Sequence, residues 1–366
     1  MTYEERLVQL KLKQKEYWQN RTENTFLAGE KDALQVVKDL KANYEKCIKD
    51  IELQINSFYG KYAVDNKVSL QDAKKLLNRD ELKSFKLALK EIQDFANTNS
   101  LDKNYKAKLK ELRAKLRISR LNELQTNIEY ELNKLHVEVE DKVKDILSTT
   151  YEDGYYKTIY NFDKLFNVSS TFAGVNSKMI EKALNTKYLA TNYTESLYKS
   201  KTNLLTILNQ EIPRGLTLGQ NPRKLSHGIA KRLNTDYNNT VRLVRTEYNK
   251  ILNEASAEAC SELGIPKYKI LATLDSRTSE ICRDEDGKLY NYKDKEVGVN
   301  FPPFHPNCRT TTIPYFEPDE FEDKIDVYIK DEEGNKTLIT DDVQYDEWKN
   351  ALKKKYNGKL QYEGGE

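Results

Sequence analysis

The side chains best suited to chemistry lie close together near the C-terminal end of the chain. Cys282 is followed by His305 and Cys308, and the last two stand three positions apart in a proline-rich loop. Thiolate sulfur and imidazole nitrogen are ligands that tetrahedral zinc prefers. The spacing therefore predicts a candidate zinc site at these three residues, with Asp275 or Asp286 as the fourth ligand.

The same three residues allow other interpretations. Cys282 and Cys308 could form a disulfide once the protein has left the cell, or they could be buried thiols packed beside a histidine that bonds to backbone. A Cys–His nucleophilic pair would need a third group to orient the histidine, and an oxyanion hole. The sequence shows neither, so we expect no catalytic residue.

Charged residues accompany this cluster. Asp275 and Arg277 follow a predicted strand, where a short acid commonly closes a turn through its own backbone. Arg277 has Asp275, Asp286 or Glu247 as candidate partners, and the helix that carries Glu247 also carries Arg245. We predict an arginine–carboxylate network that fixes this helix against a small sheet, with a charged ligand site as the alternative.

Proline divides the chain into two regions. All eight prolines lie after residue 212, and the first 212 residues are rich in lysine, glutamate, leucine and asparagine. Proline is excluded from helix interiors because it lacks the N–H and clashes with the preceding turn. The fold class predicted is mainly α, with a long-helix N-terminal bundle followed by a small α+β C-terminal domain. The predicted segments are a long-helix bundle (1–150), a Tyr/Asn-rich helical connector (151–212), a compact α+β domain (213–316), and an acidic hairpin with a short amphipathic tail (317–366).

Local patterns place the elements of the α+β region. Asn221-Pro222 is a helix start, and a second helix is predicted near 236–263, ended by Gly264. Alternation then predicts a strand over 268–274. Two further short strands are expected at 289–292 and 310–313, and a hairpin at 327–339.

Composition excludes several classes of protein. Lysine plus arginine (60) nearly balances aspartate plus glutamate (58), so net charge names no partner. No apolar run approaches 18 residues and the first residues lack the apolar core of a secretory signal, so no membrane association is expected. Four cysteines are too few for a disulfide scaffold, which suits synthesis in a reducing cytoplasm.

One segment is strongly basic. Residues 101–120 carry eight basic and two acidic side chains. Such a helix could lie against DNA phosphates without reading sequence, against an acidic protein surface, or simply face solvent as part of a bundle. The candidate contact residues for DNA or a protein partner are Lys103, Lys106, Lys108, Lys110, Arg113, Lys115, Arg117 and Arg120.

The C-terminal motif resembles a known family. The stretches DSRTSEIC (275–282), Asp286-Gly287 and VGVNFPPFHPNCRT (297–310) are similar to the C-terminal signature of phage minor head proteins, the Mu F-like head morphogenesis family. Three helical stretches resemble the family more weakly, in the same order: YWQNRTENTFLAGEK, TTYEDGYYKTIYNF and RLVRTEYNKILNEAS. The motif residues that carry the resemblance are Arg245, Glu247, Asp275, Arg277, Thr278, Asp286, Gly287, Pro302, Pro303, Pro306 and Arg309.

The resemblance implies a structural role without enzymatic activity. Family members are minor components of tailed-phage heads that associate with the portal and other capsid proteins, and they are linked to head assembly and DNA delivery. The expected location is the virion, inside the head near the portal, after synthesis in the host cytoplasm. The alternatives are an enzyme or toxin that uses the Cys282/His305/Cys308 region, although only about 50 residues follow the motif, and a DNA-binding ejection protein without sequence specificity.

The chain departs from the family pattern at two positions. Many relatives carry cysteine where this chain has Ser279 and Thr310. Four thiols would make a convincing metal site. With both replaced, the resemblance favours a fold held by packing and the proline loop, and zinc becomes the less favoured cofactor.

If residues 101–120 bind DNA, binding will be independent of sequence and will fall steeply with salt, because counterions are released from the phosphates. Reversing Lys106, Lys110 and Arg113 to glutamate is expected to abolish it, as measured by a fluorescence-anisotropy titration of duplex DNA at several salt concentrations. Unchanged binding by the variant would assign the basic charge to a solvated face.

Overall fold

Long helices dominate the computed structural model, which describes residues 3–65, 120–166, 174–217 and 220–315, together with Ser170, Phe172, Tyr345, Asp346, Trp348 and Lys349. The helices are α1 (Tyr3–Asp65), α2 (Arg120–Phe166), α3 (Ser177–Asn185), α4 (Tyr193–Thr217), α5 (Pro222–Glu262) and α6 (Glu280–Glu285). The strands are β1 (Lys267–Leu271), β2 (Leu289–Asn291) and β3 (Thr311–Tyr315), and a 3-10 turn spans Tyr292–Asp294. The prediction of a mainly α protein with a small α+β region is confirmed. Within the described residues, no helix has the length and apolarity needed to cross a membrane.

Helix α5 begins where the first of two predicted helices begins and ends where the second ends, so one long helix replaces the two. The Asn221 side chain accepts a hydrogen bond from the Lys224 N–H (2.8 Å), which caps the start before Pro222. Gly264 (φ +67°) ends the helix in the left-handed conformation that glycine tolerates. The prediction of a separate second helix near 236–263 is wrong, because no backbone break interrupts α5.

Other helices also run through predicted boundaries. Helix α2 is continuous across residue 150, and α4 continues through Pro213 to Thr217. The proline-free stretch therefore indicates helix content but not where helices end. Three predicted features fall outside the described residues: the basic segment before Arg120, the hairpin at 327–339, and most of the C-terminal tail.

Strands are present at all three predicted places within the described residues, and they form one antiparallel sheet. The first was predicted over 268–274 but ends at Leu271, because the residues from Thr273 to Thr278 form a hydrogen-bonded turn. The order of the sheet is β2-β1-β3, with Tyr268 opposite Tyr290 on one side and Pro314 on the other. Along β1, Tyr268 and Ile270 are buried while their neighbours are partly exposed, as the alternating pattern requires. These buried residues pack with Phe301, Phe304 and the two cysteines of the motif.

The chain divides into two compact units, each built from separate stretches of sequence. The first contains residues 1–34, 145–192 and 243–366, and so includes the sheet and the Cys–His motif. In this unit α1 packs closely on α5 at Gly29, where an added Cβ would lie 2.1 Å from the Tyr248 hydroxyl oxygen. Gly154 of α2 meets Leu252 in the same way. A side chain at Gly29 would displace the buried Tyr248 ring, and one at Gly154 would require a smaller shift of the Leu252 side chain.

The second unit contains residues 35–144 and 193–242, and its described part consists of segments of four helices. Its core is unusually polar. Asp236 accepts hydrogen bonds from the Tyr44 hydroxyl (2.6 Å) and from Ser200, and it lies 3.4 Å from His136 Nε2. The buried Lys201 ammonium donates to Asn133 (2.6 Å).

Burial shifts the pKa values of the titratable groups in this second core. Desolvation lowers the pKa of His136, which is only partly offset by the Asp236 carboxylate. Desolvation also lowers the pKa of Lys201 to about 8 and raises that of Glu129 to about 7. Each buried group is thus closer to its neutral form than it would be in water.

The lowered pKa of His136 predicts that the second unit loses stability on acidification. Below about pH 6.5 the unfolded chain binds a proton that the folded chain resists, so the free energy of unfolding falls by up to about 1.4 kcal/mol per pH unit. Glu129 acts in the opposite sense, since its raised pKa favours the folded state as pH falls through about 7 towards 4.5. The contribution of His136 is therefore isolated by comparing two proteins. The free energy of unfolding of wild type and of His136→Gln would be measured by urea unfolding from pH 8 to pH 5, and the difference between their pH dependences belongs to His136.

His227 supplies the matched control, because it lies in the same unit and is exposed. His227→Gln should retain the wild-type pH dependence. Equal slopes for wild type and His136→Gln would contradict the prediction.

Candidate functional site

A tight turn follows β1 and positions the first part of the motif. The Asp275 carboxylate accepts a hydrogen bond from the Arg277 N–H (2.8 Å), and the Asp275 N–H donates to the Thr278 hydroxyl (2.7 Å). The Thr278 hydroxyl in turn donates to the Thr273 carbonyl (2.6 Å). Asp275 thus closes a turn through local backbone, as predicted for a short acid after a strand.

Arg309 joins this turn to the loop that carries the second half of the motif. Its two terminal nitrogens donate to both oxygens of Asp275, at 2.7 and 2.6 Å. The Arg309 hydrogen bonds hold the pKa of the Asp275 carboxyl well below its usual range. Arg277 also lies near Asp275 (3.4 Å). Asp275 is therefore a structural ion-pair partner, which leaves it poorly placed to bind a metal.

Asp286 and Gly287 form a second turn, between α6 and β2. The Asp286 carboxylate accepts a hydrogen bond from the Ala272 N–H (2.8 Å), and the Gly287 N–H donates to the Ile270 carbonyl (2.9 Å). Gly287 has φ +79°, a conformation that glycine adopts without strain. Asp286 is likewise used by the backbone, so neither predicted fourth ligand is available in this conformation.

The two cysteines and the histidine do meet. Cys282 lies on α6, whose N-cap is Ser279, while His305 and Cys308 lie on the loop before β3. The Cys282 sulfur is 3.2 Å from His305 Nε2 and 3.7 Å from the Cys308 sulfur. The three donor atoms lie within 4.8 Å of one another, and both cysteines are buried.

The Cys282 sulfur has several polar neighbours. Its interactions with the Cys308 thiol and with the hydroxyls of Ser279 and Thr310 lower the pKa of Cys282 despite its burial. The same contact raises the pKa of Cys308. The two positions at which this chain differs from the family pattern thus place hydroxyls beside the sulfur.

Helix α5 holds the loop through buried polar side chains that the sequence analysis missed. The Asn253 side-chain oxygen accepts hydrogen bonds from the Thr312 N–H (2.9 Å) and from two threonine hydroxyls. Asn249 donates to the Thr310 carbonyl (2.7 Å), and Thr246 accepts from the Asn307 N–H (3.0 Å). These anchoring residues could have been found in the sequence as polar residues that recur at helical spacing beside the apolar face of α5.

The remaining motif residues lie apart from this cluster or support it. Glu247 is buried and pairs with Lys250 on the same helix, while Arg245 is exposed. The structure therefore does not bring either residue to Asp275. Pro302 and Pro303 are buried and joined by a cis peptide bond, and the Pro306 carbonyl lies 2.9 Å from His305 Nδ1.

A cleft of about 800 Å³ lies beside the cluster. Its walls come from α1, α5, the end of β1 and the loop with His305 and Cys308, and the exposed side chains of Leu27 and Leu274 are part of its lining. The Cys–His pair that a nucleophilic mechanism requires is present. However, Cys282 is only 2% exposed and the group orienting His305 is a backbone carbonyl. This arrangement suits cohesion of the loop better than attack on a substrate.

Comparison with known sequences matches this part of the chain to a family. Residues 206–313, from within α4 to within β3, match the family described as Phage Mu protein F like protein. This segment is Mu F-like. The resemblance seen in the motif is thereby confirmed, and the matched segment contains both α5 and the complete Cys–His cluster.

Two curated proteins are similar over a longer stretch. The chain is 25% identical over 248 residues to the NAD(+)–arginine ADP-ribosyltransferase EFV of Enterococcus faecalis, covering 64% of this chain and 50% of that protein. It is 22% identical over 246 residues to the minor head protein GP7 of Bacillus phage SPP1, covering 58% of this chain and 80% of that protein. The chain thus spans half the length of the transferase. No solved structure matches it.

The 3.7 Å separation of the two sulfurs predicts free thiols, because a disulfide requires about 2.05 Å. Protein prepared without reductant and alkylated in denaturant with chelator should show four modified cysteines per chain by intact-mass spectrometry. Two modified cysteines, with Cys282 and Cys308 recovered as one linked peptide pair, would instead establish the disulfide.

Proposed function

We propose that this chain is a structural minor head protein of a tailed phage or prophage. The observation that supports this most is the similarity to the SPP1 minor head protein, which extends over 80% of that protein. The Mu F-like match over residues 206–313 supports the same assignment. The location proposed is the virion, inside the head near the portal.

The geometry of the motif supports a structural role. Its charged residues are used in turns and ion pairs, as Asp275 is with Arg309, and its thiols are buried. Backbone groups of the loop are satisfied by side chains of α5, which makes the region a rigid support.

The partners proposed are the portal protein and other capsid proteins, with DNA delivery as a further role. Exposed apolar side chains support a protein partner, because contiguous apolar surface on soluble proteins commonly marks an interaction site. Leu27 and Leu274 are 60% and 62% exposed and both line the cleft in the first unit. The cleft is therefore the surface to test first.

Co-expression with the portal protein from the same phage genome should yield a co-purifying complex. Replacing Leu27 and Leu274 together by glutamate should weaken binding at least about tenfold, because each charge would be buried against the partner. Leu53→Glu is the matched control, since Leu53 is 65% exposed on α1 but outside the cleft. Binding would be measured by biolayer interferometry against immobilised portal protein.

Two results would count against these proposals. Separate elution of wild-type chain and portal protein at micromolar concentration and low salt would remove the portal as partner. Equal affinities for the double variant and Leu53→Glu would remove the cleft as the contact surface.

The second candidate function is an enzyme of the ADP-ribosyltransferase type. It is favoured by the 25% identity to the Enterococcus faecalis transferase, although half of that protein lies outside the match. Transfer of labelled ADP-ribose from NAD+ to an arginine-containing acceptor by the purified chain would support this candidate. The proposed structural role requires no such transfer.

A further inference from the structure

Two of the donor-atom separations in the Cys–His cluster are close to those of a tetrahedral metal site, and all three donor atoms lie within 4.8 Å of one another. Zinc–sulfur bonds of about 2.3 Å and zinc–nitrogen bonds of about 2.0 Å at tetrahedral angles place two sulfurs about 3.8 Å apart, and sulfur and nitrogen about 3.5 Å apart. The two sulfurs here are 3.7 Å apart and Cys282 sulfur lies 3.2 Å from His305 Nε2.

The histidine is oriented as a metal ligand. His305 Nδ1 lies 2.9 Å from the Pro306 carbonyl oxygen, which can only accept a hydrogen bond, so Nδ1 carries the proton. The lone pair of Nε2 therefore faces the Cys282 sulfur. Metal-bound histidines in proteins generally donate their other ring N–H to a carbonyl or carboxylate in this way.

Charge also favours a divalent cation at this place. Two thiolates balance the ion's two positive charges and the imidazole is neutral, so the complete assembly carries no net charge inside an apolar core that includes Phe301 and Phe304. Sulfur and imidazole ligands select zinc and other thiophilic metals over magnesium or calcium. Within the part of the chain that the structure describes, these three residues form the group with metal-ligand geometry.

The cluster supplies three strong ligands. Asp275 and Asp286 are committed to Arg309 and to the Ala272 N–H. The other side chains that bond to the Cys282 sulfur are the hydroxyls of Ser279 and Thr310, which are weak ligands for zinc. His305 and Cys308 line the 800 Å³ cleft, so a small molecule can approach the site from that side.

We propose that Cys282, His305 and Cys308 bind one zinc-type cation and leave its fourth coordination position to an exchangeable donor, such as water or a small thiol. This goes beyond a head-protein role and does not depend on it. The proposal also differs from the expectation that packing alone holds these residues, which was based on Ser279 and Thr310 standing in place of cysteines.

Cobalt(II) can test both the three protein ligands and the exchangeable fourth position, because its absorption depends on the number and type of ligands. Chain purified without added metal should contain close to one equivalent of zinc by inductively coupled plasma mass spectrometry. The chelated and cobalt-loaded chain should show thiolate charge-transfer and tetrahedral d–d bands. Adding 2-mercaptoethanol should shift these bands, because a thiolate replaces the external donor.

Two variants separate the ligands from the open position. Cys308→Ser should lower cobalt affinity at least tenfold, while Cys47→Ala, which changes a buried thiol of the other unit, should leave it unchanged. Thr310→Cys places a thiol beside the Cys282 sulfur and should close the site. Its cobalt spectrum should gain thiolate intensity and no longer respond to 2-mercaptoethanol.

Three results would overturn the inference. Wild-type chain that neither contains metal nor binds one equivalent of cobalt refutes the site, as does full cobalt affinity in Cys308→Ser. A wild-type cobalt spectrum that ignores 2-mercaptoethanol refutes the open position, whether or not Thr310→Cys folds. Binding of the portal protein tests the proposed function separately.

Discussion

The need to satisfy buried backbone polar groups governs the region that carries the motif. The residues from 310 to 312 are buried against α5, which keeps water away from their N–H and carbonyl groups. An unpaired buried group would cost about 1–3 kcal/mol. Asn253, Asn249 and Thr246 of α5 supply the partners, and Asn253 alone accepts three hydrogen bonds. Replacing any of them by an apolar residue would leave the loop without its anchor.

This anchoring explains why α5 and the Cys–His motif lie within the same segment that matches the family. Cys308 lies between the two anchored positions Asn307 and Thr310, so its distance from Cys282 follows from the register of the loop on α5. Arg309 completes the arrangement from the opposite side through Asp275. The match over residues 206–313 begins before α5 and ends within β3, which is the stretch that these contacts make interdependent.

The sequence predicted features whose cause is local and missed those whose cause is tertiary. Alternation along β1, the helix start at Asn221 and the helix end at Gly264 all have causes within a few residues, and all three were predicted correctly. The spacing of Cys282 and Cys308 indicated that they would meet, because the intervening turns are short. Nothing local shows that Asp275 and Asp286 are already occupied, since their partners Arg309 and Ala272 are brought near by the fold.

The anchoring asparagines and the polar core of the second unit were missed for a shared reason. Helical periodicity identifies apolar faces, and a polar residue on such a face is ordinarily interpreted as solvent-exposed. The division of the chain into two discontinuous units was equally hidden, because long helices such as α1 and α5 contribute to both.

The polar core of the second unit is better understood as a device for specifying register than as a source of stability. Lys201 pairs with Asn133 on α2, and Asp236 of α5 pairs with Tyr44 of α1, so each contact joins different helices. Sliding one helix by a turn, about 5.4 Å, would leave these groups buried without partners. Leucine contacts alone would tolerate such a slide, since one apolar neighbour resembles the next. A buried polar group that loses its partner costs about 1–3 kcal/mol, and more when it is charged, whereas a hydrogen bond that is made contributes about 0.5–1.5 kcal/mol. The penalty for wrong pairing therefore exceeds the gain from right pairing, which is the property that selects one alignment among long helices.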